Sequence, residues 1–144
     1  MHLRDLYPYW PDTHADLIER LEILTPREWD ECSCYVEAGS VRQIVARMIA
    51  HERFWIGEVA QGRPRAGGAA APGADLVAEL EATRSATLRW LESQTPQSLR
   101  VVRSAPADTA RNEPETNVTL AWIVWKVLEE ELIAWGKIQM RLSL

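Results

Sequence analysis

Apolar residues recur at steps of three and four over four separate stretches of this chain, and a helix start signal stands before the first two of them. That pattern constrains the fold more than any single motif, because a 3.6-residue period buries one stripe of a helix and cannot alternate across a sheet. Asp12 stands before Leu17, Leu21 and Leu24, which predicts a first helix over 12–24 that ends at Thr25-Pro26. Thr25-Pro26-Arg27-Glu28 is a capping box with proline at the first helical position, so a short helical turn follows at once. Ser40-Val41-Arg42-Gln43 is a second capping box and opens a helix over 40–61, with Val41, Ile44, Val45, Met48, Trp55 and Val59 on one stripe. A third helix is expected over 74–94, with Leu76, Leu80, Thr83, Thr87 and Leu91 inward, and a fourth over 118–142, with Trp122, Val127, Ala134 and Ile138 inward.

The connections carry their own information. Residues 62–73 are rich in Gly, Ala and Pro, which cannot hold a stable helix, and about twelve extended residues reach roughly 40 Å. That is enough to run the length of a bundle, so helices two and three need not form a hairpin. The polar stretch 95–117 holds Pro96, Pro106 and Pro114, and within it Leu99-Arg100-Val101-Val102 has the composition of a short strand. The expected fold is all-α, one four-helix bundle domain over residues 1–144. With 47% hydrophobic and 26% charged residues, a chain of 144 can bury a continuous core without staples.

Charge and composition narrow the function classes. A formal charge of −5 and the absence of a basic patch argue against a nucleic-acid partner. No apolar run follows the N-terminal Met1-His2-Leu3-Arg4-Asp5 and none approaches a membrane span, so a cytoplasmic location and no membrane partner are expected. Cys32 and Cys34, one residue apart, are expected as free thiols. Seven Trp against one Phe is the compositional outlier; core packing accounts for it first, and a pocket wall or a homodimer face also collects Trp.

Three polar residues fall on apolar stripes. His51 lies three residues after Met48 and four before Trp55, where imidazole is either a hydrogen-bonded core residue, a metal ligand or a general base. Glu130 lies three residues after Val127 and four before Ala134, inside Glu129-Glu130-Glu131; the triplet either straddles the solvent edge or turns Glu130 inward, where a carboxylate must be paired, protonated or metal-bound. His14 shares a stripe with Trp10, Leu17 and Leu21, and capping or surface placement near the helix start is its ordinary role, although an antiparallel hairpin of helices one and two would bring it towards His51. No phosphate loop or nucleophile elbow is present.

The run 40–55, ending His51-Glu52-Arg53-Phe54-Trp55, resembles the second helix of the DinB/YfiT-like family of bacterial four-helix proteins, in which a histidine followed by an aromatic residue supplies the first ligand of a divalent metal. The run 125–138, containing Glu129-Glu130-Glu131-Leu132-Ile133-Ala134-Trp135-Gly136, resembles that family's closing segment, where two histidines four residues apart supply the other ligands. The resemblance implies an up-down-down-up bundle with a long crossover between helices two and three. It also implies a departure: the two histidine positions are Glu130 and Ala134 here, and two protein ligands make a weak site. The expectation is therefore a metal-free DinB-like binding or interaction protein with no cofactor, whose tentative pocket of His51, Trp55, Glu130 and Ala134 takes a small-molecule ligand or is simply filled. If a metal binds, His51 and Glu130 hold it. The alternative is a transferase or isomerase that uses Zn or Ni and a low-molecular-weight thiol.

Overall fold

The structure is a computed structural model, described here for residues 1–32, 39–64, 73–108 and 112–143. It is mainly α-helical, with one two-stranded sheet. Helices α1 (Leu3–Leu6), α2 (Trp10–Glu22) and α3 (Pro26–Asp30) precede the long α4 (Val41–Glu52), whose last turns continue as a π-helix over Arg53–Ala60. Helix α5 covers Gly73–Glu92 and α6 covers Leu120–Ser143. Between them lie a 3₁₀ turn (Ser98–Arg100) and the antiparallel strands β1 (Val102–Ala105) and β2 (Thr116–Thr119).

The capping chemistry explains the boundaries. Thr25 and Ser40 each accept from the backbone N–H three residues on, while the Glu28 and Gln43 side chains return to the cap N–H. The carbonyls that end α5 are met by the N-terminal ammonium of Met1, 3.2 Å from the Glu92 oxygen and 3.0 Å from that of Gln94, a cation where the helix dipole favours one. At the end of the π-helix the Gln61 amide and the Arg103 guanidinium donate to the carbonyls of Ile56 and Ala60.

The sheet is where the all-α expectation needs correction. The extended segment starts at Val102, after a 3₁₀ turn closed by reciprocal Thr95 and Ser98 hydrogen bonds, and not at Leu99. Its partner spans the end of the expected polar stretch and the first two residues of the expected last helix: Thr116, Val118 and Thr119 are β-branched and pair with Ala105, Arg103 and Val102. The Thr119 hydroxyl then accepts from the Trp122 N–H at 3.1 Å, so the final strand residue is also the cap of α6.

Two apolar clusters make the core. One gathers Leu17 and Leu21 of α2, Val41, Ile44, Val45 and Met48 of α4, Leu76 and Leu80 of α5, and Ala134 and Ile138 of α6. The other gathers Leu3 of α1, Ile56 and Val59 from the π-helical turns, Leu91 of α5, and Leu120, Ile123, Val124 and Val127 of α6. Helix α4 packs on both α5 and α6, and α5 also packs on α2. Trp122, expected inward, is half-buried and meets Trp55 edge-on, with ring centroids 5.2 Å apart.

Candidate functional site: a buried charge network and its outer layer

Three charged side chains sit inside the core, one on each of α4, α5 and α6. Glu52 is 2% exposed, Arg84 4% and Glu131 0%. Each continues its helix's apolar stripe: Glu52 follows Met48 by four, Arg84 follows Leu80 by four, and Glu131 follows Val127 by four and precedes Ile138 by seven. The Arg84 guanidinium lies between the two carboxylates and addresses both. Its Nε and Nη2 donate to Glu52 at 2.9 and 3.2 Å, and its Nη2 and Nη1 donate to Glu131 at 3.2 and 3.4 Å. The planar fork of arginine suits this double bidentate pairing, which a lysine could not reproduce.

Helix α2 completes the shell around Glu131. The indole N–H of Trp10 donates to Oε2 and the imidazole Nδ1 of His14 lies 2.5 Å from Oε1. Because Glu131 is ionised, the Nδ1 proton belongs to that bond, and the 3.3 Å approach of Arg84 Nη1 to the same nitrogen is a contact between two donors. Burial alone would raise the Glu131 carboxyl, but the His14 hydrogen bond, the charges of Arg84 and His14 and the Trp10 hydrogen bond outweigh it and hold the group below the ordinary carboxylate range. For Arg84 burial works against the charged form, and the two carboxylates overcome it, raising the guanidinium further above its normal value.

The residues expected at the site form a second layer beside this network. His51 and Glu130 neighbour Glu52 and Glu131 in sequence, so they stand about 100° round the same two helices and nearer solvent. The structure brings them together, His51 Nε2 to Glu130 Oε1 at 3.9 Å, but each has a closer partner: Trp55 Nε1 donates to His51 Nε2 at 3.1 Å, and Lys126 Nζ is 3.2 Å from Glu130 Oε1. Of the glutamate triplet it is Glu131, and not Glu130, that turns fully inward; the Glu130 side chain keeps 29% of its exposure. Ala134 is buried within the first apolar cluster. His14, whose ordinary role would be at the surface, reaches Glu131 instead of His51.

No family model, curated protein or solved structure matches the chain. What the site can do therefore rests on its own geometry.

A three-ligand metal does not fit the outer layer. The Nε2 lone pair of His51 is taken by an indole N–H, the Glu130 carboxylate faces an ammonium, and Ala134 offers no donor. Among the described residues no three His, Cys, Asp or Glu side chains gather as a ligand set. Beside Arg84 lies a cavity lined by Leu3, Ile56, Thr87, Leu91 and Val127 of about 10 Å³, the space of a single water. Cys32 is exposed as a free thiol; Cys34 lies outside the described residues.

Proposed function

We propose that this chain is a DinB-like four-helix bundle working as a metal-free binding or interaction protein, in which internal pairing fills the family's metal cleft. The observation that carries the reading is the engagement of each former ligand position within the chain: Trp55 on His51, Lys126 on Glu130, and Ala134 in the core. Beneath them, the cation that two inward carboxylates require is Arg84, built into α5. An enzyme of this fold would lack the open metal position on which thiol activation depends.

The bundle topology belongs to the same proposal. The first apolar cluster holds the end of α2, the starts of α4 and α5 and the end of α6; the second holds the opposite ends of α4, α5 and α6. Helices α4 and α5 then run together and α2 and α6 run against them, which supports the up-down-down-up reading. No helix among the described residues is long and apolar enough to cross a membrane, and the net charge of −5 disfavours nucleic acid, in keeping with a cytoplasmic protein.

Metal analysis of untagged protein, as purified and after dialysis against zinc and nickel, tests the reading. Substoichiometric metal and an unchanged melting temperature are expected. One tightly bound ion per chain, lost in His51→Ala, would replace it with the thiol-transferase alternative.

A further inference from the structure

Helix α6 is apolar on two faces. The inward face fills the core, yet four of the eight large apolar side chains exposed among the described residues also belong to α6: Trp125, Leu132, Ile133 and Met140, 43–55% exposed. Their spacings of seven and eight residues put them on one outward stripe about 22 Å long. Apolar residues scattered singly need no explanation, whereas a continuous stripe on the longest helix does.

The charges on this stripe identify what covers it. Ile133 lies at its centre; Glu129 stands four residues before and Lys137 four after. If a second copy of α6 lies antiparallel across a two-fold axis at Ile133, Glu129 of each copy comes level with Lys137 of the other, while a parallel pair would set Glu129 against Glu129. The pattern complements itself when reversed. Glu129 meets Lys126 of its own helix at 3.5 Å, whereas Lys137, which is exposed, makes no ion pair among the described residues. Gly136 adds an independent observation: a Cβ there would meet nothing within 4 Å, so the chain's own packing makes no demand for a residue that weakens a helix. At a helix–helix contact the missing side chain lets a second backbone approach.

We propose that the chain self-associates as a two-fold dimer through the outward face of α6, in antiparallel register about Ile133. This inference goes beyond the metal-free reading and does not rest on it. Sedimentation velocity and light scattering on the untagged full chain, over a concentration series at low salt, should give twice the 16.4 kDa chain mass. Ile133→Lys and Leu132→Gln should each weaken association by about ten-fold or more while leaving helix content and melting of the monomer unchanged. Lys137→Glu should weaken it, and adding Glu129→Lys should restore it. A monomer at about 100 µM, well above the micromolar upper end for a standard-size interface, would overturn the proposal, as would a dimer indifferent to Ile133→Lys or a double charge swap that fails to restore association.

Discussion

Replacing Arg84 by Met isolates the contribution of the internal cation. The substitution keeps the length and apolar body of the side chain, while the guanidinium that bonds Glu52 and Glu131 disappears. Two carboxylates 2% and 0% exposed are left facing each other. Removing one partner of a buried ion pair costs about 3 to 5 kcal/mol, because the remaining charge keeps its desolvation without its compensation. For a domain of this size that is a fall of roughly 10 to 15 °C in melting temperature. The deficit should be largest near neutral pH and shrink on acidification, since a proton taken up by the facing carboxylates relieves their repulsion. The triple replacement Glu52→Leu, Arg84→Met, Glu131→Leu removes all three charges together, and a core of similar volume should recover most of the loss. Urea unfolding followed by Trp fluorescence and circular dichroism measures all three proteins. A single variant within about 1 kcal/mol of the parent at pH 7, or a triple variant less stable than the single, would refute the reasoning.

Acid should weaken the parent protein. Burial raises the Glu131 carboxyl, but His14, Arg84 and Trp10 hold it below its unfolded value of 4.5, so its stabilisation is fully present above that pH and is lost as pH falls through the lower folded value; urea midpoints measured from pH 6 to pH 3 should fall in the parent. Thr119→Ala removes the hydroxyl that caps α6 and should cost about 1 kcal/mol in thermal unfolding. Trp55→Phe keeps an aromatic ring beside Trp122 but deletes the indole donor to His51 Nε2, so nitrogen-detected NMR should show the His51 ring signals move while stability changes by less than about 1.5 kcal/mol.

The helices were legible because their signals are local. Capping boxes at Thr25 and Ser40 and the stripes through Leu76 to Leu91 and Val127 to Ile138 are contained within a few turns, and the helices formed within about two residues of the expected limits. The hairpin was half-legible: Val102 belongs to the segment that suggested a strand, but its partner, Thr116–Thr119, was divided between the polar stretch 95–117 and the start of the expected last helix. At the site, one residue of phase decided the outcome. Glu130 and Glu131 both fall three or four residues from Val127 and Ala134, and only the seven-residue spacings to Val124 and Ile138 single out Glu131 as the inward member. Glu52 and Arg84, four residues after Met48 and Leu80, were not among the polar residues the sequence singled out: what neutralises them lies on other helices, and a single helix's periodicity carries no record of its neighbours. Trp10 and His14 reach Glu131 across more than a hundred residues of sequence, a pairing set by the packing of α2 and not by any local motif.

The proposal turns on the chain supplying its own cation, Arg84, to Glu52 and Glu131, so that no metal is needed between α4 and α6. A crystal structure of protein grown with excess zinc, with anomalous diffraction recorded at the zinc edge, tests it most directly. The account predicts Arg84 between Glu52 and Glu131, Trp55 still donating to His51, and no anomalous peak within coordination distance of His51. A peak about 2 Å from His51 Nε2, with Glu130 or Glu131 turned towards it, would contradict it.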